Sequence, residues 1–181
     1  MQNNTLQKEA QEIYLKLEKY DDIFSDFDIR PYSKRALSSD FLEEIKRATI
    51  DKTNEGINLI FHVSENLRNE TQEVIIQTRL IEHFNKHQKI LTKEKSKVLK
   101  MGWSMTFFGF LFMIIATYIM FKNPSEDLVS SFLIVFLEPA AWFLVWEGME
   151  QVIFGSKKSK SDLEFYTKMS DSRGSIVFKT I

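Results

Sequence analysis

The stretch MGWSMTFFGFLFMIIATYIMF, residues 101–121, decides the class of this protein, because it has 21 residues and no charge. At about 1.5 Å per residue, a helix of this length reaches roughly 30 Å, the thickness of a membrane hydrocarbon core. A second apolar stretch follows at residues 128–154, and only KNPSED, residues 122–127, lies between the two. The sequence therefore predicts a hairpin of two transmembrane helices.

The distribution of charge predicts how this hairpin crosses the membrane. Six lysines lie between residues 86 and 100, and three more lie at residues 157–160. The connecting loop carries one lysine beside two acids. Because short segments rich in Lys and Arg stay on the cytoplasmic side, we expect a multi-pass protein of the inner (cytoplasmic) membrane with both termini in the cytoplasm.

The residues outside the hairpin predict a small α+β domain, a sheet with helices, fused to the hairpin. Apolar periodicity and turn residues predict, in chain order, a helix, a short strand, a second helix and a second strand, at residues 6–20, 27–30, 40–51 and 57–63. The strand–helix–strand order favours parallel pairing with a right-handed crossover. A long helix is expected from about residue 70, and it should be continuous with the first span because no Pro or Gly precedes Gly102.

The tail predicts a helix and a final strand. Residues 162–170 have a helical pattern, and residues 176–178 are expected to form a strand that pairs with residues 57–63. The predicted organisation is a cytoplasmic domain with a juxtamembrane helix, a hairpin, and a cytoplasmic tail that packs on the N-terminal domain, at residues 1–100, 101–154 and 155–181.

Glu138 is the most informative residue of the hairpin. It lies ten residues into the second stretch, roughly 15 Å deep at helical rise, where a carboxylate costs about 2.5–3.5 kcal/mol. Pro139 follows and removes a backbone hydrogen bond, so we expect a bend there. Two interpretations remain: a pore constriction or cation site, or a protonated Glu138 that holds neighbouring helices together. Both require other copies of the chain.

Three further residues lie towards the cytoplasmic end of the second span. Trp142 and Trp146 follow Glu138 at one-turn intervals, and Glu147 comes next. Tryptophan at this depth is typical of an interfacial anchor, and acids there are usually solvated. The functional alternative is a second acidic ring, formed by Glu147 at the cytoplasmic mouth of an oligomer.

A basic stripe precedes the hairpin. One arginine and three lysines recur every seven residues, and two more lysines lie on the same side: Arg79, Lys86, Lys93, Lys100, Lys89 and Lys97. The stripe is either a solvated face attracted to anionic lipid, or a site where an oligomer holds an oligonucleotide or nucleotide. No aromatic residue interleaves with these cations, so we expect no sequence-specific DNA binding.

The motifs of common enzymes are missing from the sequence. It contains no cysteine, no glycine-rich phosphate loop, no G-x-S-x-G turn and no H-E-x-x-H pair. His83 and His87 have helical i, i+4 spacing, but no Asp or Cys nearby completes a metal site. We therefore expect no enzymatic activity, no cofactor and no metal.

The order of these features resembles a set of small, mostly uncharacterised two-span prokaryotic membrane proteins. The resemblance rests on RPYSKRALSSDF at residues 30–41, INLIFHV at 57–63, the pair at 138–139 followed by Trp142, Trp146 and Glu147, the lysines at 157–158, and the strand at 175–178. The relatives often have Arg before the proline, where this chain has Glu138. Some similar proteins look like pore-forming effectors of anti-phage defence systems, controlled by the nucleotide product of a partner.

Two functions are predicted from this pattern and this resemblance. The first is a homo-oligomeric membrane pore or ion channel, gated by its cytoplasmic domain through an anionic nucleotide-type ligand. The second is a non-conducting membrane anchor whose cytoplasmic domain docks a soluble partner protein.

Overall fold

The computed structural model describes residues 11–52, 56–122, 127–155, 160–171 and 174–180. Three strands are present: β1 (Gln11–Lys16), β2 (Ile57–Val63) and β3 (Ile176–Thr180). Four α-helices accompany them: α1 (Ser39–Ala48), α2 (Glu70–Lys122), α3 (Leu128–Glu150) and α4 (Lys160–Met169). Short 3₁₀ turns lie at Tyr20–Ile23 and Glu65–Leu67, and a π-helical turn, Gln151–Gly155, follows α3.

The chain divides into two compact units. The first comprises Met1–Lys89 and Asp162–Ile181, and the second comprises Ile90–Ser161. The first unit holds the sheet, α1, the beginning of α2 and nearly all of α4. The second unit holds the rest of α2 and all of α3.

The sheet of the first unit is entirely parallel, with the order β1-β2-β3. Helix α1 lies in the crossover between β1 and β2, as parallel neighbours require. Strand β3 pairs with β2 from Leu59↔Ile176 to Val63↔Thr180, which confirms the predicted pairing of the terminal strand. Strand β2 is central, with both edges paired, and most of its side chains are buried.

The predicted helix at residues 6–20 is wrong where the structure describes it. Residues 11–16 form β1, Tyr20 lies in a 3₁₀ turn, and residues 6–10 lie outside the described part. The apolar positions fit both periods: Ile13, Tyr14 and Leu17 match a helix, whereas Ile13, Leu15 and Leu17 match a strand. Pairing with β2 decides between them, and this long-range contact is invisible in the local pattern.

The predicted strand at residues 27–30 is also wrong. Phe27 and Ile29 are 100% and 96% exposed, in a turn rather than a ladder. The carboxylate of Asp28 accepts hydrogen bonds from the backbone N–H of Arg30 (3.1 Å) and of Ala36 (2.7 Å). Hydrogen bonds from Arg30 and Ala36 hold the pKa of Asp28 far below its usual range. This local bonding satisfies backbone groups that a strand would have used.

The helices complete one hydrophobic core in the first unit. Helix α1 begins after Ser38 and buries Phe41 and Ile45, and α2 begins at Glu70, as predicted. The first turns of α2 place three fully buried side chains in the core, Ile76, Leu80 and Phe84. Helix α4, predicted at residues 162–170, adds Phe165.

Among the described residues, two helices are long and apolar enough to cross a membrane. They are Glu70–Lys122, through its C-terminal part, and Leu128–Gly155. Only 17% and 11% of their most apolar windows is buried within the protein, whereas the core helix of a soluble protein is mostly buried. Contiguous exposed apolar surface of this extent indicates a lipid or protein environment. The helices match the two spans predicted from the sequence; residues 123–126 of the connecting loop lie outside the described part.

Candidate membrane site

The second unit is built on close contact between α2 and α3. A Cβ atom added at Gly109 would lie 2.9 Å from the carbonyl oxygen of Ala141 and 2.9 Å from the backbone nitrogen of Val145. A Cβ atom at Gly102 would lie 2.8 Å from the carbonyl oxygen of Gly148. The two backbones therefore touch at glycines, the usual way in which helices associate in a membrane. The pairing of these positions shows that α2 and α3 run antiparallel.

Glu138 lies beside this helix contact rather than within it. Ala141 is fully buried at the contact, and Glu138, three residues earlier, lies about 60° around α3 and is exposed. None of the described residues donates a hydrogen bond to its carboxylate. An exposed carboxylate at the middle of an apolar helix is expensive in lipid, so this side of α3 requires protein or water next to it.

Of the other predicted site residues of α3, Trp142 lies on the same side as Glu138, and Glu147 does not. Trp142 is exposed and follows Glu138 by four residues, so it lies about 40° from Glu138 around α3, on the same flank. Helix α3 continues through Pro139 from Leu128 to Glu150. Glu147 follows Glu138 by nine residues, about 180° around the helix, and accepts a hydrogen bond from Gln151 Nε2 (3.2 Å). The structure thus brings Glu138 and Trp142 together and places Glu147 on another side.

An exposed face of α2 was missed at the sequence level. We define the α2 face as six residues spaced alternately by four and three positions: Trp103, Phe107, Phe110, Ile114, Thr117 and Phe121. All six are exposed in the protein. Two open grooves of about 740 and 500 Å³ lie along this face, the first near Trp103 and the second near Ile114. The four-three spacing was visible in the sequence, but it did not show which face α3 would leave free.

The α2 face and Glu138 look out from the same side of the helix pair. Ile114 follows Gly109 by five residues, about 140° around α2, and Glu138 lies about 60° around α3 from Ala141. Because the helices run antiparallel, their rotation senses are mirrored when viewed from one end. The rotations from Gly109 to Ile114 and from Ala141 to Glu138 have the same sign, so both lead from the contact to the same side of the helix pair.

Ile114 and Glu138 also lie at the same depth. Gly109 is opposite the segment from Ala141 to Val145, whose midpoint is residue 143. Five residues forward from Gly109 reach Ile114, and five residues back from 143 reach Glu138. The rise per residue is equal in both helices, so the two side chains share one layer.

The residues of the predicted basic stripe differ in their surroundings. In the first unit, Arg79 Nε donates a hydrogen bond to the backbone carbonyl of Arg35 (3.1 Å), so part of this guanidinium is used structurally. The other five are exposed, two of them in the first unit and three in the second: Lys86, Lys89, Lys93, Lys97 and Lys100. Lys100 lines the groove of about 740 Å³ together with Trp103.

The first unit contains a buried histidine, His83, whose spacing to His87 was visible in the sequence but whose burial was not. His83 is 8% exposed, and its Nε2 has no hydrogen-bond partner among the described residues. Burial, followed by the charges of His87, Arg79 and Lys86, lowers the pKa of His83 to about 4. Its ring lies 4.1 Å from that of His87, which in turn stacks on Tyr166 at 5.1 Å. In the described part of the chain, no cluster of three His, Asp or Glu side chains accompanies this pair.

These features define a protein with a small parallel-sheet unit and two paired helices that can cross a membrane. Compared with protein-family models, with curated proteins and with solved structures, the chain matches none of them.

Proposed function

We propose that this protein is a homo-oligomeric, ion-conducting pore of the inner membrane, with both termini in the cytoplasm and the first unit acting as its gate. The observation that supports this proposal most is the exposed carboxylate of Glu138 on a helix whose apolar window is only 11% buried. The protein acts by passing ions and not by catalysis.

The energetics of Glu138 favour an assembly over a lone protomer. A charge at the centre of a transmembrane helix costs about 2.5–3.5 kcal/mol on insertion scales, and intramembrane acids generally face a bundle interior or a water-filled cavity. Several copies arranged with this side inward would surround the carboxylates with water and with each other. A ring of carboxylates in such a pore selects cations.

The basic residues before the first span favour control of the pore by an anionic ligand. Lys93, Lys97 and Lys100 are exposed within three turns of one another in the second unit. In an oligomer their number is multiplied, which concentrates positive potential near the cytoplasmic mouth and attracts phosphate-bearing ligands or anionic lipid. We propose a nucleotide-type anion as the gating ligand, in line with the predicted resemblance to defence effectors.

The experiment is a measurement of reversal potential in planar bilayers under a KCl gradient. We expect purified protein to conduct with a preference for K⁺, and Glu138→Gln to lower that preference because the carboxylate ring is lost. Glu150→Gln is the matched control: it makes the same change on an exposed residue at the end of α3, away from the proposed constriction. No current with any polyanion added, or unchanged selectivity in Glu138→Gln, contradicts the proposal.

A second function is favoured by one observation in the first unit. Phe27 and Ile29 are almost fully exposed on one turn, and two such side chains are suited to docking a soluble partner. In that case the protein is a non-conducting anchor. Replacement of residues 101–155 by a foreign hairpin should then preserve function, whereas Phe27→Ser with Ile29→Ser should abolish it.

A further inference from the structure

The position of Glu138 bears on which residues of α2 face lipid. If lipid is kept away from an exposed carboxylate on this side, lipid is also kept away from the α2 residues that lie beside it in the same layer. Ile114 is that residue, and the α2 face extends from it in both directions. This reasoning rests on the proposed function, since it takes copies of the chain as the neighbours of Glu138.

The surface of the α2 face fits the side chains of another helix. Its two grooves, of about 740 and 500 Å³, run along the face, and large side chains stand between them. Spacing that alternates between four and three residues keeps these side chains in register with an identical helix that crosses at a small left-handed angle. The two glycines of α2, Gly102 and Gly109, are already used against α3, so a second contact is made mainly by large side chains.

We propose that the α2 face is the contact between copies of this chain. In the closed assembly Ile114 of each copy lies next to the axis and forms an apolar ring, with Glu138 in the same layer further from the axis. When the helices move apart, the carboxylates line the widened pore. Copies inserted in the same direction place identical residues at identical depth, so each Ile114 has Ile114 of the next copy as its neighbour. An apolar ring of this kind closes a pore by excluding water until the helices move apart.

Cysteine cross-linking tests this contact directly, because the chain contains no cysteine of its own. Ile114→Cys is oxidised with copper phenanthroline in native membranes, and in parallel treated with a short bifunctional thiol reagent. Ile115→Cys is the matched control, since it makes the same change at nearly the same depth about 100° further around α2. Ile114 is 66% exposed and Ile115 is 39% exposed, so both thiols can react.

We expect covalent dimers from Ile114→Cys to form at least tenfold faster than from Ile115→Cys. Phe107→Cys, one heptad earlier, should behave like Ile114→Cys, which protects the test against a single variant that folds poorly. Dilution with excess cysteine-free chain should suppress the dimers. Equal rates at the two neighbouring positions, a faster reaction at Ile115→Cys, or no dimers from either face variant would overturn the proposal.

The cross-linking result can be separated from the question of conduction. Channels that conduct with Glu138-dependent selectivity, but give no cross-link through the α2 face, would refute this contact and leave the pore. Efficient cross-linking without any current would support the contact and count against the pore.

Discussion

Replacing His83 by phenylalanine should change how the stability of the first unit depends on pH. Burial and three nearby positive groups lower the pKa of His83 from 6.5 to about 4 in the folded protein. In the unfolded chain the imidazole regains its ordinary pKa. Between pH 6.5 and pH 4 the unfolded chain therefore binds a proton that the folded protein does not, and stability falls as the pH falls.

The size of this effect follows from the difference in pKa. Each pKa unit corresponds to about 1.4 kcal/mol, so a wild-type protein taken from pH 7 to pH 4 loses about 3 kcal/mol of folding free energy through His83. Above pH 6.5 the imidazole is neutral in both states, and no loss is expected. His83→Phe removes this term and also removes a buried nitrogen without a partner, which should stabilise the protein by about 1 kcal/mol at pH 7.

Two assays check this prediction. NMR titration of the full chain in lipid nanodiscs resolves His83 easily, since there are only three histidines. Pulse proteolysis in urea then compares the stability of wild type and His83→Phe from pH 7 to pH 4, with His62→Gln as the control for loss of an imidazole. A measured pKa of 6.5 or above for His83, or superimposable pH profiles for the two proteins, would refute the reasoning.

Three other substitutions test the packing of the two units. Gly109→Val should push α2 away from Val145. We expect a lower thermal midpoint than that of the wild-type protein in micelles, equivalent to a loss of about 1–3 kcal/mol. Lys168→Ala should cost about 1–3 kcal/mol in urea unfolding, because the buried ammonium donates to the carbonyl groups that end α1 and its following turn. Arg68→Ala should cost about 3–5 kcal/mol, because it leaves the carboxylate of Glu73 buried without its cation.

Each of these substitutions has a control or a signature of its own. Ser104→Thr adds a methyl group at an exposed position of α2 and should leave the thermal midpoint unchanged. Lys168→Arg should recover part of the loss from Lys168→Ala. Burial acts to raise the pKa of Glu73, but hydrogen bonds from Arg68 and Tyr20 outweigh it and lower the pKa. Without Arg68 burial is less opposed, so Glu73 takes up a proton at a higher pH than in the wild type, and the penalty of Arg68→Ala should shrink as the pH falls.

The elements that were predictable from the sequence are those with a single local pattern. Strand β2 has an apolar residue at every second position and was predicted with its observed bounds, and α1 and α4 lie within a few residues of their predictions. Both long apolar helices follow from length and composition alone. In each case local propensity and burial favour the same structure, so no distant contact is needed to choose it.

The elements that were missed depend on contacts between distant residues. Strand β1 has apolar positions that suit two periods, and its pairing with β2, more than forty residues away, selects one. The predicted strand at residues 27–30 does not form, and the carboxylate of Asp28 instead accepts a hydrogen bond from the backbone N–H of Ala36, a contact that no periodicity reveals.

The candidate site also combines features of a local pattern with features that depend on contacts between distant residues. Glu138 was identifiable as an acid in an apolar helix, and its separation from Glu147 follows from the helical period. Its shared layer with Ile114 comes from the register between α2 and α3. That register is decided by glycine contacts between the two helices, and neither helix carries it alone.

The most direct test of the account is the mass of the protein in a membrane. Native mass spectrometry of the full chain, released from lipid nanodiscs, measures the number of copies of the 21.3 kDa protein in each particle. A homo-oligomer gives a single defined multiple of that mass, with several copies per particle, and we expect the same multiple for Glu138→Gln. Particles that contain one chain only, across a range of protein concentrations, would contradict it, since a lone helix pair leaves Glu138 facing lipid.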